Sequence, residues 1–275
     1  MAITEVPIDR ENTAGVDETS QSNPIAVPKW ARWAPRKSAL AAVALIAVTA
    51  SAGYLLSTRN VDDALPPAPP PTAAQRFSEL YESLQTSEEV AVRIDEFKID
   101  DAMLRKLTSI TRLTVIQVDA ESISNETVAQ IAKMPMLEQL HLRGAEINDA
   151  MLAELARSPT IWLLNLTDAD LSPQGIESLA TMPALRQLRL AIKLGNNSHA
   201  RAVASLSRLR AVHLIGIYVS DEGLQLLAQM PQLESLYLDD TAVTESGWSW
   251  LFLNHPQLHV HINQKHHDRD PHHHH

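Results

Sequence analysis

The chain has 275 residues and a formal net charge of −10, with 23 Lys and Arg residues against 33 Asp and Glu residues. This acidic balance argues against sequence-independent binding of nucleic acid, so we predict no nucleic-acid partner. The absence of cysteine excludes disulfides and thiolate metal sites, although it does not indicate a compartment.

The first 28 residues are acidic and poor in large apolar side chains. They hold five Asp or Glu residues against the single cation Arg10, and they contain no aromatic residue. Such a segment cannot bury enough apolar surface to offset the entropy lost on ordering. We therefore predict a disordered acidic tail over residues 1–28.

Residues 29–59 join a basic segment to an uncharged apolar stretch that runs from Ser38 to Ser57. Twenty helical residues at 1.5 Å each are long enough to cross a hydrocarbon core of about 30 Å. Four Lys and Arg residues precede the stretch, so the positive-inside rule places the N-terminus in the cytoplasm. We predict a single-pass membrane protein whose remaining domain is exported to the periplasm or the cell exterior. The alternative is a cleaved signal peptide with a small-residue site at Ala50–Ala52, which exports that domain as well.

A proline-rich linker over residues 60–75 follows the predicted membrane helix. Its segment from Ala64 to Ala74 favours extended polyproline II and holds the next domain away from the membrane. Apolar residues then recur at spacings of 3, 4 and 7, which predicts an amphipathic helix that closes the N-terminal end of the next domain. They are Phe77, Leu80, Tyr81 and Leu84.

From this helix almost to the C-terminus, large aliphatic residues recur every 24 residues in the frame LxxLxL. A repeat of this length predicts a solenoid. The frame reads Leu113, Ile116, Val118; Leu137, Leu140, Leu142; Ile161, Leu164, Leu166; Leu185, Leu188, Leu190; Leu209, Val212, Leu214; Leu233, Leu236, Leu238. Val92 and Ile94 one period earlier, and Val260 and Ile262 one period later, extend the array at both ends.

Each repeat is predicted to hold one strand and one helix, because its apolar period changes from 2 to about 3.6. Asp149 and Asp221 open two helical halves as predicted N-caps, and a proline two residues before most strand frames ends the preceding helix. The predicted fold class is α/β. Parallel strands form a curved sheet on the concave face, and the helices pack on the convex face.

These repeats resemble the leucine-rich repeat family, in the helix-bearing form of bacterial members. The resemblance covers residues 88–263, and the clearest unit is DEGLQLLAQMPQLESLYLDDTAV from Asp221 to Val243. It implies a leucine-rich repeat domain over residues 76–263 that binds partners through its concave strands.

The sequence departs from the family pattern in two places. Where the family often has Asn or Cys after the strand, only Thr241 can bond the turn easily, so we expect a looser turn. After Leu190 the sequence reads Leu194, Gly195 and two asparagines in place of an apolar residue and a cap. We interpret this stretch as an irregular convex loop, with an inserted functional loop as the alternative.

The candidate binding site is the outward slot between the two core residues of each strand, together with its flanking slots. His, Arg and aromatic residues there are typical of protein recognition, although any open sheet face must be polar. The predicted partner-binding residues are Gln117, His141, Arg143, Asn165, Arg189, His213, Tyr237 and Asp239. The flanking residues Asp119, Trp162, Arg186, Arg210 and Asp240 and the end residue His261 belong to the same face, with Trp162 predicted to be exposed.

No cofactor is predicted, and metal binding is a weak alternative at the C-terminal end. His259 and His261 share one strand face, and residues 264–275 form a His-rich tail that we predict to be disordered. His141 and His213, three strands apart, are too distant to share one ion. Trp248 and Leu251 occupy helix core slots and predict a bulky C-terminal cap.

The sequence carries no nucleophile elbow, HExxH motif or phosphate loop, so we predict no enzymatic activity. The predicted function is a membrane-anchored module that recognises a protein or cell-envelope component through the concave face. The alternative is a structural or metal-binding envelope protein that acts through its His-rich C-terminal end. An adaptor role in ubiquitin transfer is set aside, because a membrane span stands where an adaptor-binding module would be required.

Overall fold

The structure, a computed structural model, describes residues 69–263 and 265–266. The predicted tail over residues 1–28, the apolar stretch from Ser38 to Ser57 and most of the linker over residues 60–75 lie outside the described residues. Within the described part, no helix is both long and apolar enough to cross a bilayer.

The first helix, α1 (Ala73–Thr86), begins at a capping box. The Thr72 hydroxyl accepts from the Gln75 backbone N–H, and the Gln75 side chain accepts from the Thr72 backbone N–H in return. Phe77 and Leu84 are buried, and Leu80 and Tyr81 pack against the same core. The predicted amphipathic helix is confirmed.

After α1, strands and helices alternate along the described chain. The strands are β1 (Ala91–Ile99), β2 (Val115–Ala120), β3 (Gln139–Arg143), β4 (Leu163–Leu166), β5 (Gln187–Gly195), β6 (Ala211–Ile217), β7 (Ser235–Asp239), β8 (His259–Ile262) and β9 (Lys265–His266). The helices between them are α2 (Asp101–Leu107), α3 (Asn125–Ala132), α4 (Asp149–Leu155), α5 (Pro173–Glu177), α6 (Asn197–Ala204), α7 (Asp221–Ala228) and α8 (Glu245–Asn254). A short 3₁₀ helix, Ser178–Thr181, extends α5.

Strands β1 to β8 pair in sequence order in one sheet, and every neighbouring pair is parallel. Each strand is in register with the next at an offset of 24 residues, so that Leu140 lies beside Leu164 and Leu164 beside Leu188. The 24-residue period of the sequence is therefore the repeat of the sheet, and the described residues form a parallel-sheet solenoid. At its end, β9 pairs antiparallel with β8.

The aliphatic frame fills one continuous core beneath the sheet. Leu140 and Leu164 are fully buried, and Leu188 is only 2% exposed. The core extends from Phe77 in α1 to Val260 in β8. Burial of each such side chain contributes roughly 1.5 to 3 kcal/mol, but only when neighbouring repeats cover it.

Helix α8 and the last strand close the core at its C-terminal end. Trp248 is 5% exposed and Leu251 is fully buried, as the sequence predicts for a bulky cap. Trp250 and Phe252 pack partly against the same core. The apolar surface of the last repeat is thus covered by its own helix.

The turn after most strands contains one residue in the left-handed region, which Asp, Asn and Gly tolerate best. Gly144, Asp168, Gly216 and Asp240 occupy it at intervals that are multiples of 24 residues. At Gly144 a side chain is also sterically excluded, because a Cβ would lie 2.9 Å from the Ala120 carbonyl oxygen. Asp168 is therefore a turn residue.

In the turns that lack the Asn ladder, backbone hydrogen bonds connect neighbouring repeats. The Glu121 N–H donates to the Ile99 carbonyl oxygen at 2.8 Å, and the Ala242 N–H donates to the Val219 carbonyl oxygen at 2.9 Å. The turn side chains of Ala145 and Ile217 are fully buried. Apolar packing and backbone hydrogen bonds thus hold the turn.

The loop predicted after Leu190 is wrong, since β5 continues through Gly195, but the predicted irregularity is present as a shift of register. Ala191 pairs with Ile215 and Gly195 pairs with Ile217 across a bulge. A Cβ at position 195 would lie 2.7 Å from the Ile217 side chain, so glycine allows the two strands to remain paired. Leu194 points outward on this extension and is 89% exposed.

The predicted N-caps are misplaced by one residue. Asn148 is the N-cap of α4 and Ser220 precedes α7, whereas Asp149 and Asp221 are the first helical residues. Their carboxylates reach the next repeat instead. Asp149 accepts from the Ser172 N–H at 2.9 Å and from its hydroxyl at 2.6 Å.

We call this contact an inter-repeat rung: the first residue of one helix binds the N-cap residue of the next. Asp221 binds Thr244 in the same way, at 2.8 Å from the backbone nitrogen and 2.7 Å from the hydroxyl. Asn197 makes a neutral version with Ser220, accepting from its N–H at 3.0 Å and donating to its hydroxyl at 2.7 Å. A carboxylate and a carboxamide therefore fit the same geometry.

The Asp221 rung predicts a specific loss of stability in acid. Hydrogen bonds from the Thr244 hydroxyl and backbone N–H lower the pKa of Asp221 below its ordinary value of 3.8. A carboxyl whose pKa is lowered by folding stabilises the fold above its unfolded-state pKa, and this contribution is lost as pH falls through the folded-state pKa. Asp221→Asn should melt close to wild type at pH 7 and lose less stability between pH 5 and pH 2 in thermal melts.

The Asn197 rung provides the converse variant. Asn197→Asp should become more acid-sensitive than wild type over the same interval. A wild-type slope in both variants would contradict the titrating rung.

Candidate functional site on the strand face

Alternate residues of β1 to β8 point away from the core and form one continuous surface, which we call the strand face. It is the surface that the sequence predicts to be concave. Its middle row follows the sheet register from strand to strand. The row consists of Arg93, Gln117, His141, Asn165, Arg189, His213, Tyr237 and His261. The predicted slot thus becomes a file of side chains about 4.8 Å apart.

At the β1 end, the positive charge of Arg143 is compensated by two aspartates. Its guanidinium donates to Asp119 at 2.6 Å and to Asp95 at 2.5 Å. The Gln117 amide also donates to Asp95, at 3.1 Å. These side chains are part of one closed network and offer few unused donors to a ligand.

His141 lies in the middle row beside this network and is neutral at physiological pH. Burial, together with the positive charges of Arg93, Arg189 and Arg143, lowers its pKa to about 4 against the opposing charge of Asp95. Its Nδ1 lies 3.2 Å from the Asn165 amide nitrogen, so it accepts from Asn165 when Nε2 carries the proton. His141 therefore acts as a fixed polar group.

Arg189 occupies the centre of the row and differs from Arg143. Its side chain is partly buried, and its Nε is shielded from solvent without a hydrogen-bond acceptor in the described part of the chain. Burial lowers the pKa of Arg189, the negative charge of Asp239 opposes that shift, and the charge of Arg143 adds to it. Arginine remains protonated even so, and the charge is held in a partly dry site.

The β8 end of the row is a stack of aromatic and imidazole rings. The Tyr237 ring stacks on His261 with centroids 4.5 Å apart, and it tilts against His213 at 5.4 Å. His213 Nε2 lies 2.9 Å from an Asp239 carboxylate oxygen. Burial lowers the pKa of His213 and outweighs the hydrogen bond that His213 donates to Asp239, which raises it.

No protein-family model and no curated protein matches this chain. Among solved structures, it is similar to the internalin InlF of Listeria monocytogenes, with 18% sequence identity, a TM-score of 0.48 and coverage of 67% of this chain. It is also similar to TLR13 in a TLR13–ssRNA13 complex, with 13% identity, a TM-score of 0.39 and coverage of 68%. The chain spans 50% of the internalin chain and 30% of the TLR13 chain. The 24-residue register of the strands defines the fold.

Three residues of the predicted face are less accessible than their slots suggest. Trp162, predicted to be exposed, is 6% exposed, because its indole folds onto the preceding repeat and donates to Glu138 at 3.4 Å. Asn165 and Asp239 are 7% and 6% exposed. Both are short side chains bonded to the larger rings of His141 and His213. The accessible part of the middle row therefore consists of its longer side chains.

Two residues of the strand face were not predicted from the sequence. Arg93 and Asp95 in β1 extend the middle row and its flanking row by one repeat, and Asp95 is one of the partners of Arg143. The 24-residue frame contains the signal, since these positions precede Gln117 and Asp119 by one period. Along the strand-start edge, Arg210 pairs with Glu234 at 2.8 Å, and Arg186 donates to the Pro183 and Leu185 carbonyl oxygens.

The metal candidates His259 and His261 lie together, with their Nε2 atoms 2.8 Å apart. This separation suits a hydrogen bond, whereas two nitrogens bound to one tetrahedral zinc at about 2.0 Å lie roughly 3.3 Å apart. Within residues 69–263 and 265–266, no cluster of three or more His, Cys, Asp or Glu side chains could hold an ion. Most of the predicted His-rich tail lies outside the described residues, so its metal binding stays a prediction.

Proposed function

We propose that this chain is a non-catalytic binding module that recognises a protein or cell-envelope partner through its strand face. The observation that carries the proposal is the composition of the middle row between β5 and β8. There Arg189, a partly buried arginine that makes no ion pair within residues 69–263, lies beside the stacked rings of His213, Tyr237 and His261. Arginine and tyrosine in partly desolvated settings are the residue types that dominate binding energy at protein interfaces.

Packing alone does not require this composition. A solvated sheet face needs polar side chains, and small ones such as Ser, Thr or Gln satisfy that need at lower entropic cost. The arginine and the rings instead present large side-chain surfaces, and the Arg189 Nε has no acceptor within the described residues. The two halves of the strand face also differ, because the charge of Arg143 near β1 is compensated internally. We infer that the β5–β8 half contacts the partner.

The proposal includes membrane attachment through Ser38 to Ser57, with the repeats outside the cytoplasm. Its support is the uncharged length of that stretch, the cations before it and the proline-rich spacer after it. The intact mass and first residue of the mature protein test this part. Retention of residues 38–57 in the membrane fraction supports anchoring, and a mature chain that starts near residue 53 overturns it.

A triple replacement tests the binding face. Arg189, His213 and Tyr237 replaced together by Ala should leave the fold intact, since all three side chains lie outside the aliphatic core, and should reduce partner capture at least tenfold. Loss of an arginine and a tyrosine at an interface costs about 2 kcal/mol or more each. The measurement is capture by the full chain, purified in detergent, from solubilised cell envelopes, with thermal melts of both proteins.

The matched control removes three exposed cations from the helix side. Lys133, Arg157 and Arg201 replaced by Ala should leave capture unchanged, because they lie far from the strand face and their ion pairs are solvent-exposed. Capture that survives the strand-face triple but is lost in the helix-side triple would overturn the proposal.

A further inference from the structure

Within the described residues, Arg189 differs from Arg143 and Arg210 of the strand face in making no ion pair. Arg143 is held by Asp95 and Asp119, and Arg210 is held by Glu234. Within the described residues Arg189 makes no ion pair, and its Nε has no acceptor although the atom is shielded from solvent. The nearby carboxylate Asp239 is engaged by His213 at 2.9 Å.

A guanidinium in this state is poised to gain from an external acceptor. A donor that has lost water without gaining an acceptor destabilises the free protein, and a ligand recovers that loss when the side chain turns to meet its acceptor. The register places Arg189 between Asn165 and His213, in the centre of the row, and Asn165 Oδ1 is likewise buried without a partner. The polar groups left unsatisfied on the strand face thus meet at one place.

We propose that Arg189 is a carboxylate-binding site and that it receives an acidic side chain of the partner. The assignment to a partner's side chain rests on the proposed binding function, whereas the carboxylate site itself can be tested without a partner. The planar guanidinium offers paired N–H donors that match the two oxygens of a carboxylate.

The surroundings favour a singly charged carboxylate over a phosphate. Asp239 acts on Arg189 electrostatically, so a dianion would meet more repulsion there than a monoanion. The ring stack at Tyr237 begins two strands away, about 10 Å from Arg189 at the usual strand spacing. A partner segment whose acidic residue binds Arg189 therefore reaches the rings with its neighbouring apolar side chains.

Acetate is the probe, with acetamide as its neutral isostere and sulfate as the competing oxyanion. The full chain is labelled with ¹⁵N-arginine in detergent micelles, and ionic strength is held constant with chloride. The Nε–H resonances of Arg189 and Arg143 are assigned by their loss in Arg189→Lys and Arg143→Lys. Arg143 is the internal control, because its Nε already donates to Asp119.

We expect acetate to shift the Arg189 resonance saturably, acetamide to shift it at least tenfold less, and the Arg143 resonance to stay in place. Equal linear shifts of both resonances, no shift at Arg189, or tighter binding of sulfate than of acetate would overturn the inference. If acetate does not bind but the strand-face triple abolishes capture, the carboxylate site is excluded and the binding face is supported. If acetate binds and the strand-face triple captures normally, the carboxylate site is supported and its assignment to a partner's side chain is excluded.

Discussion

Leu188→Asp should abolish cooperative folding of the repeats. Leu188 is 2% exposed and lies in the middle strand of the array, in register between Leu164 and Val212. An aspartate there buries a carboxylate with no counter-charge, which costs several kcal/mol, of the same order as the whole stability of a domain at about 5 to 15 kcal/mol. Because each repeat is stabilised by its neighbours, the loss extends to both sides.

The same strand supplies the control. Leu194→Asp makes an identical chemical change on β5, but Leu194 is 89% exposed. It should melt within about 0.5 kcal/mol of wild type, as surface substitutions usually do. Circular dichroism melts and limited proteolysis compare the two variants. A cooperative wild-type melt for Leu188→Asp would mean that the register is wrong.

Part of the fold could be predicted from the sequence alone. The core positions of the strands were predictable because an aliphatic residue in a 24-residue frame repeats often enough to exclude other readings. The extension of β5 through Gly195 was not predictable from the local sequence between Leu190 and Asn197. A glycine at position 195 suggests a break in the strand when the local sequence is considered alone. In the structure it makes room for the Ile217 side chain on the neighbouring strand.

The candidate site was predictable in position but not in accessibility. The frame places Trp162, Asn165 and Asp239 on the strand face, yet all three are buried there. Their burial depends on how side chains one repeat away lean across them, and a periodic sequence does not determine those rotamers. Within the described residues Arg189 makes no ion pair, although Asp239 lies on the same face, and the Asp239 carboxylate is hydrogen-bonded to His213.

The N-termini of the helices show the same limit of prediction from sequence. Asp149 and Asp221 have the composition of N-caps, and a local rule assigns them that role. In the structure the residue before each aspartate is the N-cap, and each carboxylate accepts hydrogen bonds from the next repeat. A contact between residues 23 positions apart cannot be read from the preference of either helix alone.

The rung also explains a glycine inside a helix. Gly175 is the third residue of α5, where alanine would ordinarily favour the helix by up to about 1 kcal/mol. A Cβ at this position would lie 1.9 Å from the Asp149 carboxylate oxygen Oδ1. Gly175→Ala should therefore displace Asp149 from Ser172, losing hydrogen bonds worth about 1 to 3 kcal/mol, and the variant should melt several degrees lower.

A double-mutant cycle separates this steric cause from a general intolerance of alanine in α5. Once Asp149→Ala has removed the carboxylate, the added methyl group of Gly175→Ala meets no obstacle there, and the helix preference for alanine remains. Gly175→Ala should then be neutral or slightly stabilising, so the two changes couple by about 1 to 2 kcal/mol in urea unfolding. Additive losses would show that Asp149 is not the reason for the glycine. Coupling would establish that the repeats are joined by side chains at the helix starts as well as by the aliphatic core.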